Sequence, residues 1–264
     1  MAAEKSSNAI NRRKLLALGA SAMGSAAAGS AVAAQALSNH DGMLGGPAET
    51  IAGTLPWREG AADAPDGEAG LKYLTAAEMA FITAAADRLI PADPTGPSAS
   101  EAGVPNFIDR QLAGAYGQGQ HFYLGGPWPE GTKSQGYQSR FTPAEFYRHA
   151  IAEIEAGVGH IHGGKAFKDL STDDQDKLLH QMESGILKLD GPVKSDAFFT
   201  MFLQNVKEGY FSDPIYGGNK NASAWAMIGF PGAHYDYSPW VTRYNEPVPV
   251  KPVGLRGRAD RSRS

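Results

Sequence analysis

Two histidines in a glycine-rich segment have the spacing that most directly suggests chemistry. His160 and His162 are separated by one residue and could offer two imidazole ligands to a metal ion. No His-Glu-x-x-His pattern and no nearby third ligand accompany them, so a glycine-rich loop with surface histidines is the competing interpretation. The segment 159–166 also approaches a phosphate-binding loop. Ala166, however, stands where the Mg²⁺-binding Ser or Thr is required, so we reject that interpretation.

Several other catalytic signatures are missing from the sequence. The 264 residues include no cysteine, which excludes disulfides, thiolate zinc sites, cysteine-ligated iron–sulfur clusters, covalent c-type haem and a cysteine nucleophile. No Gly-x-Gly-x-x-Gly pattern follows a strand, and no Gly-x-Ser-x-Gly elbow occurs. We therefore assign no catalytic, cofactor-binding or metal-binding residue, and keep a metal site at His160 and His162 as the alternative.

The segment 208–219, which we call the turn block, is the most informative part of the sequence. It combines aromatic residues with an Asp-Pro turn and a Gly-Gly-Asn turn, and Trp225 follows it. Aromatic side chains held on tight turns are typical anchors of protein interfaces. The alternative is that these side chains cover the chain's own core. We predict a partner interface at Tyr210, Phe211, Asp213, Pro214, Tyr216, Gly217, Gly218, Asn219 and Trp225.

The first forty residues have the order of an export signal. A basic cluster that includes Arg12 and Arg13 precedes an uncharged stretch rich in Leu, Ala, Gly and Ser, and small residues follow at Ala34 and Ala36. The sequence Asn-Arg-Arg-Lys-Leu-Leu resembles the twin-arginine motif, whose route exports proteins already folded. A membrane anchor is the alternative, although Ala, Gly and Ser enter lipid only weakly. We predict a twin-arginine signal peptide over residues 1–36 and a periplasmic mature chain.

The elements that must position these residues are helices. Thr75 with Glu78, and Thr142 with Glu145, have the spacing of capping boxes, and a third start lies near Ser171. No convincing alternation of apolar and polar residues predicts strands. We predict a mainly α fold, a compact irregular helical domain, with helices over 76–90, 104–115, 143–156, 172–186, 195–208 and 221–228.

One of these helices is predicted to be the centre of the core. Helix 195–208 is apolar around most of its circumference, with Phe198 and Phe202 among its large side chains. Gly209 follows it directly, and glycine commonly ends helices. We therefore predict that this helix is the central core element and that Gly209 closes it.

Glycine and proline, 32 and 17 residues respectively, concentrate in predicted loops and extended arms. We expect a linker or arm over 37–70, a helical domain over 71–230 with a long aromatic loop at 115–140, and an extended tail over 231–264. Residues 1–40 carry a net charge of +3, and the last fourteen residues carry +4. Because the whole chain has a net charge of −4, the residues between them carry −11. The basic tail is either a solvated terminus or a contact for an acidic partner or anionic lipid.

Two blocks of the sequence resemble a known family. The first contains Leu74–Glu78, Ala86–Asp93, Glu101–Val104 and Phe107–Leu112, and the second contains Glu208–Asn219 and Ile228–Gly232. Both are similar to the small (gamma, third) subunit of membrane-bound, FAD-dependent gluconate 2-dehydrogenase and of related sugar and polyol dehydrogenases. The similarity spans about residues 71–232 and includes the twin-arginine leader.

The resemblance implies a non-catalytic subunit that supports export, maturation and stability of a larger flavoprotein. That FAD-dependent large subunit oxidises a sugar, sugar acid or polyol, and a multi-haem cytochrome c subunit accepts the electrons at the inner membrane. The implied partners also include the twin-arginine translocase, and nucleic acid is not among them. The alternatives are a stand-alone periplasmic metal-binding protein or metalloenzyme using His160 and His162, and a solitary binding protein for a small sugar.

Overall fold

A computed structural model describes residues 70–129, 131–132, 135–234, 236–246 and 250–255. The predicted signal peptide at 1–36 and nearly all of the predicted arm at 37–70 lie outside these residues. The chain divides after Glu59 into two units, and every described residue belongs to the second, Gly60–Ser264.

The described part of the chain is helical and contains no strand, which confirms the predicted mainly α fold. The described residues form six α-helices joined by irregular segments, some of which contain short 3₁₀ turns, and a long irregular loop lies between the second and third helices. Their bounds are α1 Ala76–Leu89, α2 Val104–Ala113, α3 Pro143–Ile161, α4 Thr172–Glu183, α5 Ser195–Phe211 and α6 Ser223–Ile228.

Side-chain caps fix the starts of three helices where the sequence predicts them. The Thr75 hydroxyl accepts from the backbone N–H of Glu78, and the Glu78 carboxylate accepts from that of Thr75, so both halves of the capping box are present. The equivalent pair at α3 is also complete. Ser171 rather than Thr172 caps α4, by accepting from Asp174 N. Each cap contributes about 1 kcal/mol.

The predicted helix ends are less accurate. α3 continues to Ile161 instead of ending at 156, because buried Ile154 and Val158 extend its apolar face by another turn. α5 continues to Phe211, so the prediction that Gly209 closes it is wrong. Gly209 lies inside the helix and faces the ring of Phe107, where a Cβ would lie 2.8 Å from the ring. The glycine here permits close packing of α5 against α2.

α5 is the central element of the core, as predicted. Phe198, Phe202 and Val206 are fully buried and pack among α1, α2, α3 and α4. The rings of Phe198 and Phe202 are stacked at 5.8 Å, and Tyr147 of α3 meets Phe198 edge-on at 5.4 Å. Replacement of such a phenylalanine by alanine typically costs 3–5 kcal/mol, so this cluster is a large part of the stability.

Buried polar groups tie other segments to this core. The carboxylate of Asp109 on α2 accepts from the backbone N–H groups of Lys72, Tyr73 and Leu74, at 2.7–3.0 Å. These bonds fix the chain where it enters the domain, and they satisfy a carboxylate that is otherwise shielded from water. On α5, buried Asn205 accepts from the hydroxyls of two tyrosines, one on α3 and one in the loop after α2.

Candidate functional site

The turn block begins in the last turn of α5 and continues into a 3₁₀ turn that is capped by Asp213. One carboxylate oxygen of Asp213 accepts from Ile215 N at 3.0 Å, and the other accepts from Leu255 N at 2.7 Å. The first bond caps the 3₁₀ turn Pro214–Tyr216. The second bond fastens a segment far along the chain to the same side chain, so the C-terminal segment is part of this site.

The C-terminal segment also pairs with the residues that follow α6. Val253 N donates to Pro231 O at 3.2 Å and Ala233 N donates to Val253 O at 2.6 Å, forming an isolated parallel bridge between Gly232 and Val253. Where it is described, the predicted extended tail at 231–264 contains a 3₁₀ turn at Ser238–Trp240, and its residue Leu255 bonds to Asp213 of the turn block. We call this arrangement the tail clasp.

Asn219 fixes the second half of the turn block. It is fully buried, its Oδ1 accepts from Ala224 N, and its Nδ2 donates to Ser212 O. Its backbone has φ of 46°, and Asn221 and Ala222 are also left-handed, with φ of 58° and 50°. Such backbone is tolerated by asparagine but is strained for alanine, and it persists only where surrounding contacts enforce it.

Glycines let the two family-like blocks lie directly against each other. Gly103, at the start of α2, has φ of 81°, and a Cβ there would lie 2.6 Å from the carbonyl oxygen of Gly217. A Cβ on Gly218 would overlap the carbonyl oxygen of Gly209. Lys220 N donates across the same contact to Ala102 O at 2.9 Å. The contact is backbone against backbone, which explains why glycines occupy these positions.

Several of the nine predicted interface residues are buried within the chain itself. Tyr210 is 1% exposed and donates to Pro97 O, and Trp225 is 7% exposed and donates from Nε1 to Phe211 O at 2.8 Å. Buried positions also include Pro214, Gly218 and Asn219. These residues stabilise the turn block from inside. The prediction that the block binds a partner is untested by these contacts.

Tyr216 is the predicted interface residue with the most exposed side chain, at 50%; Phe211, Asp213 and Gly217 are partly exposed. Four other large apolar side chains that the interface prediction omits are also exposed, and the sequence signal for two of them, Ile228 and Phe230, is the Ile-Gly-Phe-Pro-Gly segment. These four side chains are Ile215, Ile228, Phe230 and Leu255.

The predicted aromatic loop at 115–140 is irregular, as expected, but its base is anchored. Tyr116 donates to Asn205, and Phe122 meets the rings of Tyr116 and Tyr137 edge-on at 5.9 and 5.1 Å. Tyr137 donates to Phe141 O at 2.8 Å, and burial raises the pKa of its hydroxyl to about 12. Tyr123, by contrast, is exposed. The base of the loop is therefore part of the core.

The two histidines lie at the end of a helix, contrary to the interpretation as a loop. His160 is in the last turn of α3, and His162 is the residue that follows the helix. Both line a groove of about 380 Å³ between α3, α4 and the segment 187–190. In the part of the chain that the structure describes, no three His, Cys, Asp or Glu side chains lie close enough to hold a metal ion. The geometry therefore gives the metal hypothesis no support.

None of the helices in the described ranges has the length and apolar character needed to cross a membrane.

Comparisons with known proteins give one match. Searches of curated proteins and of solved structures each found no significant similarity. The family model of gluconate 2-dehydrogenase subunit 3 matches residues 76–232, which contain all six helices, the aromatic loop and the turn block. The match covers more than half of the sequence, and it ends at Gly232, where the tail clasp begins. The chain therefore belongs to the gluconate 2-dehydrogenase subunit 3 family.

Proposed function

We propose that this chain is the non-catalytic small subunit of a periplasmic, membrane-associated complex of the gluconate 2-dehydrogenase type. Membership of the subunit 3 family, through the match over residues 76–232, is the observation that carries the proposal. The partners are an FAD-dependent dehydrogenase subunit, which oxidises a sugar, sugar acid or polyol, and a multi-haem cytochrome c subunit, which accepts the electrons. The redox cofactors then belong to the partners.

The second part of the proposal is a role in export and maturation. Arg12 and Arg13 stand in a sequence like the twin-arginine motif, and that route carries folded proteins. A flavoprotein without its own signal, once folded around FAD and bound to this chain, is exported with it. The small subunit then stays bound and stabilises the flavoprotein, because anything that binds only the folded state shifts the folding equilibrium toward it.

The internal bonding of the described residues supports a scaffold role. The buried carboxylate of Asp109 and the buried amides of Asn205 and Asn219 each bond to groups of the chain itself. These side chains hold segments together, as expected of a subunit that presents a fixed surface.

Co-expression with the dehydrogenase subunit and the cytochrome subunit tests the proposal. We expect dehydrogenase activity in the periplasmic and membrane fractions with the wild-type chain, and its retention in the cytoplasm with Arg12→Lys/Arg13→Lys. Lys14→Arg is the matched control, because it keeps the charge and leaves the arginine pair intact. Export of active dehydrogenase in the absence of this chain, or export indifferent to both arginines, contradicts the proposal.

A further inference from the structure

We propose that the tip of the aromatic loop contacts the lipid surface of the membrane directly, with the rings of Tyr123 and Trp128 lying among the headgroups. We call residues 123–128 the aromatic tip. The inference rests on the proposed function, in which the complex is membrane-associated, and deepens it. This chain then has a lipid contact of its own, besides any that its partners make.

The two rings form one small surface, because they pack on neighbouring glycines. A Cβ on Gly125 would lie 3.3 Å from the Cζ and hydroxyl oxygen of Tyr123. A Cβ on Gly126 would lie 3.1 Å from Cη2 and Cζ3 of Trp128. The indole Nε1 of Trp128 also donates to Leu124 O at 3.3 Å. Both rings therefore lie against the same short piece of backbone.

The tip is exposed, whereas the part of the loop that carries it is anchored. Tyr123 is 88% exposed and Trp128 is 49% exposed. Leu124, between them in the sequence, packs against buried Gly119, where a Cβ would lie 2.7 Å from Cδ1 of the leucine. Phe122 N donates to Gly119 O at 3.0 Å. Side chains on an anchored backbone lose little additional freedom on binding, which favours affinity.

The charge of the tip selects a lipid surface as the occupant. Residues 111–129 contain no Asp, Glu, Lys or Arg, although these residue types make up 20% of the chain. The nearest charged residues in the sequence are Arg110 and Glu130. Dehydrating a charged side chain at the boundary of headgroups and acyl chains is costly, and the tip avoids that cost. It also gives an acidic or basic partner surface no counter-charge.

The tip offers few directional groups to a protein partner. Trp128 Nε1 already donates to Leu124 O, and Pro127 and Pro129 have no backbone N–H. Protein interfaces typically contain about one hydrogen bond per 100–200 Å² of buried area. A lipid surface requires no such bonds. Trp and Tyr are the residue types enriched at the level of the headgroups, because each ring is apolar with one polar group.

Exposure alone does not distinguish the tip, so other exposed apolar residues provide matched controls. Tyr244 is 83% exposed, but Arg243 and Glu246 lie close to it in the sequence. Ile161, at the end of α3, is 73% exposed and lies between two histidines. Neither position belongs to the aromatic loop. Tyr244→Ser/Ile161→Ser therefore removes a comparable exposed apolar area outside the proposed lipid contact.

The test is the partition of the purified full-length chain onto phosphatidylcholine vesicles, measured by co-sedimentation at low and high salt. We expect Tyr123→Ser/Trp128→Ser to lower the partition coefficient about tenfold or more, because two rings then no longer leave water. Tyr123→Phe/Trp128→Phe, which keeps two rings, should stay within about threefold of wild type, and the control variant within about twofold. Residues 1–36 are common to all variants, and equal thermal midpoints establish that all of them fold.

A second measurement locates the contact at one ring. Vesicles of brominated phosphatidylcholine quench tryptophans that lie in the lipid, so we expect the quenched fraction of the fluorescence to fall in Trp128→Phe. Unchanged quenching in that variant, or an unchanged partition coefficient in the serine variant, overturns the inference. Binding that requires phosphatidylglycerol and disappears at high salt also overturns it, because charge then carries the contact.

Titration of the same variants with the purified dehydrogenase subunit separates the inference from the proposed function. If Tyr123→Ser/Trp128→Ser loses binding to that subunit and keeps vesicle binding, the tip is a protein anchor. The inference then fails and the proposed function stands. If the wild-type chain binds vesicles through the tip but does not bind the dehydrogenase subunit, the proposed function fails and the lipid contact stands.

Discussion

Asp213 and Leu255 lie 42 positions apart in the sequence, yet the backbone N–H of Leu255 donates to the Asp213 carboxylate at 2.7 Å. The same carboxylate caps the turn that presents Tyr216. A single side chain therefore bonds to both the turn block and the C-terminal segment.

Asp213→Ala is expected to release the C-terminal segment. It removes two charge-assisted hydrogen bonds, so we expect a loss of about 1–3 kcal/mol in the free energy of unfolding measured in urea. The amide hydrogen of Leu255 should also exchange with solvent faster, because it loses its acceptor. Asp236→Ala is the control, because Asp236 accepts from Ser238, only two residues further along the chain. An unchanged exchange rate at Leu255 in Asp213→Ala would show that the clasp holds without this carboxylate.

Asp109→Ala should destabilise the chain by about 3 kcal/mol or more. The substitution leaves three backbone N–H groups, those of Lys72, Tyr73 and Leu74, without their acceptor beside the core. Asp93→Ala is a matched control, since Asp93 also accepts from backbone N–H groups but within its own exposed turn. Denaturant titration of both variants checks the difference, and similar losses would contradict the special role of Asp109.

Gly218→Ala should be strongly destabilising, whereas Gly157→Ala should raise stability. A methyl group on Gly218 overlaps the carbonyl oxygen of Gly209, so either α5 or the turn block must move. Gly157 lies in α3 with nothing near its hypothetical Cβ, and alanine in an exposed helix is favoured over glycine by about 0.5–1 kcal/mol. Thermal unfolding midpoints that shift in opposite directions are the expected result.

Trp225→Ala and Tyr216→Ala are expected to affect different properties. Trp225 is buried, so its truncation should cost about 3–5 kcal/mol of folding stability. Tyr216 is half-exposed, so its truncation should change stability by about 0.5 kcal/mol at most but weaken binding to the dehydrogenase subunit. Unfolding curves paired with binding titrations separate the two effects. A large stability loss in Tyr216→Ala would assign that ring to the core.

Stability should fall at alkaline pH as the aromatic loop loses its anchor. Burial raises the pKa of Tyr137 from 10.0 to about 12, so the folded state favours the neutral phenol. The resulting stabilisation is fully present below pH 10 and is lost as the pH rises through 12. Ultraviolet titration of tyrosinate should show one fewer late-ionising tyrosine in Tyr137→Phe. A titration identical to that of wild type would contradict the assignment.

The sequence by itself determined the helical class and most helix starts. The capping pair Thr75 and Glu78 lies within four consecutive residues, and the apolar face of α5 is formed by its own side chains. Both features can therefore be predicted from short stretches of sequence. Helix ends were harder to predict. Glycine commonly ends helices, but Gly209 lies inside α5. It packs against Phe107 across the α2–α5 interface, and the helix continues to Phe211.

The tertiary structure decided which residues of the turn block face outward. The sequence marks Trp225 and Tyr216 alike as aromatic residues near turns, and only the packing of Trp225 against Phe211 and Phe230 separates the buried ring from the exposed one. Likewise, nothing local to Asp213 predicts a bond to Leu255, because that contact depends on where the chain returns in space. Short-range caps and periodicities are encoded in neighbouring residues, whereas burial and long-range hydrogen bonds depend on the whole fold.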